Sequence, residues 1–192
     1  MDLVATVEAL PAPHAVPLTA EDFDGLAQRC QQRVFRVLRS LFRDDEIADT
    51  LTQECLLRAF RRRDTYRGEA SPETWLLTIA VNLARDHMRS RRFAFWRRVR
   101  RTSELEAQAA SSRWAHPGPS PERALQAREE VAALWVGLEA LPARQRTVFV
   151  LRFVEEMSLA EIATVLGLSI GSVKVHLHRA TGNLRARLGR AR

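Results

Sequence analysis

Cysteine is scarce in this sequence: only Cys30 and Cys55 occur in 192 residues. They show no pairing signature and no neighbouring set of metal ligands, which argues against a disulfide framework or a structural metal site. Both fall at apolar positions of predicted helices, so two packed thiols in a reducing compartment are expected. No uninterrupted apolar run approaches the roughly 20 residues that a membrane-spanning helix needs, so no stable membrane insertion is expected. The amino-terminal stretch MDLVATVEALPAPHAVPL has no basic start and is interrupted by Pro11, Pro13 and Pro17, unlike a secretory signal. A mobile leader over residues 1–18 and a cytoplasmic location are the expectations. Strand-like alternation of useful length is missing, which leaves an all-α fold. Lysine is nearly missing too: Lys174 is the sole one among 30 basic residues, so arginine clusters carry less meaning than usual.

The balance of charge, +7 with a pI near 10.9, favours a polyanionic partner, and a 46% hydrophobic content suffices for packed cores. Catalytic chemistry finds little support. A DNA-processing enzyme, such as a serine recombinase with a DNA-binding tail, needs a nucleophile with assembled arginines or a carboxylate metal cluster, and neither stands out. His87 and His116 are isolated, and His176 and His178 are two apart, facing different ways on a helix. No catalytic residue, metal or cofactor is expected.

Thr19 followed by Asp22 reads as a capping box, after which Phe23, Leu26, Cys30, Val34, Val37, Leu38 and Leu41 recur at helical spacing. Arg43 to Asp45 forms a break. A second helix follows to about Arg63, with Ile47, Leu51, Cys55, Ala59 and Phe60 on the buried side and Glu46, Asp49 and Gln53 along a polar stripe, Glu54 on the next row. Such a stripe is either a solvated face or, within a basic protein, a docking surface. The loop DTYRGEASPE turns at Gly68, and Ser71 with Pro72 opens a third helix whose apolar face is Trp75, Leu76, Ile79, Ala80 and Leu83. From Arg85 to Arg101 arginines interleave with Phe93, Phe95 and Trp96, which suits an unpaired strand or, alternatively, packing at the end of a helical bundle. Residues 102–121 are small, polar and proline-rich, as a linker is, with Trp114 as a candidate docking point. Pro121 and Glu122 then open a helix that Pro142 stops, and Val148, Phe149, Leu151 and Phe153 mark another.

The chain is organised around SLAEIATVLGLSIGSVKVHLHR, residues 158–179. Ser158 and Ser169 each cap a helix start, and Glu161 completes a capping box with Ser158. Gly167 supplies the left-handed exit between the two helices, while Ile162, Leu166, Leu168, Val173 and Leu177 form their apolar seam. This is the pattern of a helix-turn-helix, in which the second helix enters the major groove. That helix offers Ser172, Lys174, His176 and Arg179 to bases and phosphates. An ordinary helical hairpin would carry similar caps.

Two separated blocks, DTLTQECLLRAFRRRDTYRGEASPETWLLTIAVNLARDHMRSRRF and LPARQRTVFVLRFVEEMSLAEIATVLGLSIGSVKVHLHRATGNL, together resemble regions 2 and 4 of a group 4, extracytoplasmic-function sigma factor of bacterial RNA polymerase. The resemblance covers most of the chain and leaves out the large sigma regions 1.1 and 3. It implies two small helical domains, a region 2 bundle over 19–101 and a region 4 helix-turn-helix domain over 122–192, joined by the flexible linker. It implies that Asp49, Gln53 and Glu54 meet the clamp helices of the polymerase largest subunit, with Thr50 where the family more often has aspartate, and that the rear domain meets the flap. Tyr66, Arg67 and Asn82 match the part that captures a flipped base of the minus-10 element, and Arg85, Asp86 and Arg89 the part nearing its upstream edge. Ser172, Lys174, Val175, His176 and Arg179 match the minus-35 reader. Val175 and His176 replace a small polar residue and an arginine, and Val175 could meet a thymine methyl. An anti-sigma factor is a further implied partner. A helix-turn-helix repressor or activator is the alternative, and it would need a dimerisation or sensing domain.

Overall fold

A computed structural model describes residues 17–90 and 121–189. The described residues form seven α-helices and one short 3-10 turn, with no strand among them. The front half holds α1 (Ala20–Phe42), α2 (Asp45–Arg61), the 3-10 turn Arg63–Thr65 and α3 (Pro72–Arg89). The rear half holds α4 (Pro121–Glu139), α5 (Ala143–Phe153), α6 (Leu159–Leu166) and α7 (Ile170–Leu188). The leader up to residue 16, the arginine-aromatic stretch with Phe93, Phe95 and Trp96, Trp114 and most of the linker lie outside the described residues.

Local chemistry sets most of the boundaries. The Thr19 hydroxyl accepts from the Asp22 amide at 3.1 Å while the Asp22 carboxylate accepts from the Thr19 amide at 3.3 Å, closing the capping box that starts α1. Arg43 ends that helix in the left-handed conformation at φ 51°, and its amide still reaches the Arg39 carbonyl. Within the expected break, buried Asp44 caps α2: one carboxylate oxygen accepts from the amides of Glu46 and Ile47, both at 3.0 Å. Ser71 caps α3 by accepting from the Thr74 amide at 3.2 Å, with Pro72 in the first turn, where its missing N–H leaves no bond unmade.

Phe23, Leu26, Val34, Val37 and Leu38 of α1 pack against Leu51, Cys55 and Ala59 of α2 and Leu76, Leu77 and Ala80 of α3. Phe60 departs from the expected buried side. It stays 39% exposed, touching the Phe23 ring edge-on at 5.5 Å and lying under the Arg63 guanidinium at 4.3 Å. The second helix also ends at Arg61, slightly before the expected boundary, because the chain tightens there into the 3-10 turn.

The buried cluster of the front half does not stop at its own helices. It continues into Val148, Val150, Leu151, Met157, Ile162 and Val173 of the rear half, so the two halves meet across one apolar seam. A smaller cluster of Leu138, Leu141, Ala180 and Leu184 ties α4 to α7. No single described helix is long and apolar enough to cross a membrane.

Candidate functional site

The helix-turn-helix takes the shape its sequence dictates. Ser158 accepts from the Glu161 amide at 3.2 Å, and the Glu161 carboxylate accepts from the Ser158 amide at 2.7 Å. Hydrogen bonding to the Ser158 hydroxyl, and next to the Ser158 amide, holds the Glu161 carboxyl below its ordinary pKa, because each favours the charged form. Gly167 leaves α6 at φ 60° and ψ 42°, and the Leu168 amide returns to the Ala163 carbonyl at 2.9 Å. The chain axis turns through 103° between α6 and α7. Buried Ile162, Ala163 and Val173 fill the angle.

Because Val173, Ala180 and Leu184 face inward, the opposite side of α7 is free for solvent. Lys174, Val175 and Arg179 stand there as expected, Val175 at 47% exposure. Two further expected residues sit less openly. The Ser172 hydroxyl is 2.9 Å from that of Ser169, so it is shared with the helix cap. His176 is half-buried at the edge of the inward side, with Nδ1 enclosed. His178, not among the expected contacts, is exposed on the outward side. Counting 100° per residue from the buried Val173 locates His178 on that side and would have revealed it from sequence.

In the front half, Asn82, Arg85, Asp86 and Arg89 recur at i, i+3, i+4 and i+7 and so share one face of α3. Arg89 and Asp86 are exposed, Arg85 and Asn82 half-buried, and Arg85 Nε lies 4.0 Å from the Asp86 carboxylate. Asn82 and Arg85 open onto a narrow cleft whose far wall is Arg144 and Thr147 of α5 and Leu166 and Leu168 of the helix-turn-helix. Tyr66 stands apart from them, in the loop before α3. Its hydroxyl donates to the Ala70 carbonyl at 2.5 Å and its ring centroid is 5.5 Å from that of Trp75. Partial burial, and to a lesser extent the Glu73 carboxylate, pushes the Tyr66 hydroxyl up from its ordinary pKa, so it remains a neutral donor. Gly68 takes φ 70° at the turn of the same loop, and Arg67 is exposed beside it.

The polar stripe of α2 is present and solvated. Asp49 accepts from Gln53 Nε2 at 2.8 Å, and Glu54 pairs with Arg58 at 2.5 Å one turn on. Leu57, 43% exposed, and Phe60 extend the same face at helical spacing. This face thus joins acidic and amide groups to an apolar end, a combination that the polar residues alone did not reveal. Among the described residues no group of three or more His, Cys, Asp and Glu side chains could hold a metal ion.

The models of the sigma-70 family match both halves: region 2 over residues 26–94 and region 4 over residues 132–184. A probable RNA polymerase sigma factor, RfaY, of Xanthomonas campestris pv. campestris is 35% identical over 177 residues, 92% of this chain but 42% of the relative's own length. The extracytoplasmic-function sigma factor SigX of Bacillus subtilis is 30% identical over 165 residues, covering 86% of this chain and 82% of the relative. Among solved structures, CnrH in complex with the cytosolic domain of CnrY aligns with a TM-score of 0.62 at 25% identity, over 89% of this chain and 90% of that one. With both regions matched in order, and with SigX aligned along most of its own length, this chain belongs to the extracytoplasmic-function group of the sigma-70 family of RNA polymerase sigma factors.

Proposed function

We propose that this sigma factor works by dividing promoter recognition between its halves while docked on core RNA polymerase in the cytoplasm. The observation that supports this most directly is the outward side of α7, where Lys174, Val175, His178 and Arg179 are presented by a capped helix-turn-helix. Lys174 and Arg179 suit phosphates and guanine edges, and Val175 suits a thymine methyl. His178 joins the reading set in place of His176, which stays at its margin with Ser172. These residues read the minus-35 element as intact duplex.

The front half acts on the minus-10 element. Tyr66, Arg67 and Asn82 receive a base turned out of the stack, with the Tyr66 ring as a stacking platform, and Arg85, Asp86 and Arg89 line the upstream approach. Unstacking costs a few kcal/mol per step, which stacking and phosphate contacts must offset. Asp49, Gln53 and Glu54, continued by Leu57 and Phe60, meet the clamp helices of the polymerase largest subunit, and the rear half meets the flap. RNA synthesis stays with the polymerase, so the role of this chain is binding and not catalysis. An anti-sigma factor is the proposed inhibitor. The cytosolic domain of CnrY bound to CnrH supports a protein partner for this chain.

Run-off transcription with core enzyme on promoters selected for this factor tests the proposal. Transcripts that require this chain, with permanganate-reactive thymines at the start site, are expected. Tight binding to core without reactive thymines would contradict the melting role.

A further inference from the structure

Among the described residues, polar contacts between the halves converge on α1 and the residue that ends it. The Glu155 carboxylate, whose side chain is 1% exposed, accepts from Arg36 Nε at 2.7 Å and from Arg36 Nη2 at 2.9 Å, a two-pronged pairing. Arg33 Nε donates to the same carboxylate at 3.0 Å. Arg146 Nη1 donates to the Leu41 carbonyl at 3.0 Å, and Arg43 lies 3.5 Å from Glu139. Arg33 and Arg36 remain 33% and 55% exposed, so they are partly solvated already, whereas Glu155 has lost its water and depends on them.

This contact has a geometric consequence for promoter binding. Elements centred near positions 10 and 35 are about 25 base pairs apart, or about 85 Å along the duplex at roughly 3.4 Å per pair. A compact chain of this length is only about 40 Å across. With the halves packed together, the two DNA-facing helices cannot occupy both elements at once. The same packing sets α5 and the helix-turn-helix over the side of α3 that carries Asn82 and Arg85.

We propose that Glu155, held between Arg33 and Arg36, is the latch of a closed state that must open before this chain can engage both promoter elements. The latch follows from the geometry alone; only the benefit of opening rests on the sigma-factor reading. Parting the halves rehydrates Glu155 and exposes the α3 side together. The energetic asymmetry makes the two arginines the informative targets: reversing their charge leaves the buried carboxylate facing like charge, which separation relieves.

Energy transfer within the full chain reads the latch without polymerase or DNA. Dyes placed through Asp24→Cys on α1 and Arg185→Cys on α7, both exposed, report the approach of the halves. Native Cys30 and Cys55 are buried, and burial raises both thiols, Cys55 to about 12, so they take up little label at neutral pH. High transfer is expected for the parent chain and a severalfold loss for R33E/R36E, with unchanged far-ultraviolet dichroism. E155Q should fall between them, and R29E/R61E, the same charge change at exposed sites away from Glu155, should keep the parent value. Low transfer in the parent, or parent-level transfer in R33E/R36E, would overturn the proposal. If R33E/R36E opens yet no variant supports transcription with core enzyme, the latch stands and the functional reading fails.

Discussion

The Arg146 guanidinium donates to the carbonyl of Leu41, 105 positions earlier, at 3.0 Å, so a charged side chain of α5 finishes the last turn of α1. The same group also serves the carbonyls of Glu139 and Leu141, and the residue is 5% exposed. A helix end buried without partners is unfavourable, and one arginine relieves it in both halves. Its removal therefore strands several buried acceptors at once.

Arg146→Ala should lower the unfolding free energy by about 2–4 kcal/mol, since buried carbonyls lose a charged donor. Urea denaturation of the full chain, followed by dichroism, measures it. A loss below about 0.5 kcal/mol would show that water replaces the guanidinium freely.

Ser158→Ala should cost about 1 kcal/mol of stability through loss of the cap that opens α6. Glu161→Gln carries a pH signature. The folded state holds the Glu161 carboxyl below its ordinary value, so this stabilisation is present above the unfolded carboxyl's pKa and is lost as pH falls through the folded one. The difference in melting temperature between parent and Glu161→Gln should be clear at neutral pH and close towards strongly acid pH. A gap that stays constant with pH would contradict the assignment.

On α7, Lys174→Ala should weaken duplex binding across all sequences and lower the salt slope by about 0.9, the value for one phosphate contact. Val175→Ser should instead relax preference at a single base pair, by about 1 kcal/mol if it meets a thymine methyl. Titrations against a panel of single-substitution duplexes at several salt concentrations separate the two. Equal effects on every duplex for Val175→Ser would exclude base reading by that residue.

Tyr66→Ala should reduce affinity for a single-stranded minus-10 oligonucleotide, measured with the polymerase holoenzyme, by about 1–3 kcal/mol, as expected for one lost stacking platform. Tyr66→Phe keeps the ring and loses only the bond to the Ala70 carbonyl, so it should retain most of the affinity. Matching losses in both variants would assign the effect to loop order and not to stacking.

The sequence by itself determined the helices, several of their caps and the two-block order. Capping oxygens, apolar spacing and a left-handed glycine act over a few residues, so Thr19, Ser71, Ser158, Gly167 and Ser169 could be read in place. It also located the α2 stripe and the second helix of the helix-turn-helix. Only the tertiary structure decided that Glu155 meets Arg33 and Arg36, that Arg146 closes α1, that Asn82 and Arg85 face a seam, and that His176 is partly enclosed. Those facts depend on which surfaces meet across long stretches of chain, as with the 119 positions between Arg36 and Glu155. A charged residue at a given position carries no local mark of its distant partner. Exposure is likewise a property of the assembled neighbours, which the spacing of residues along one helix only begins to constrain.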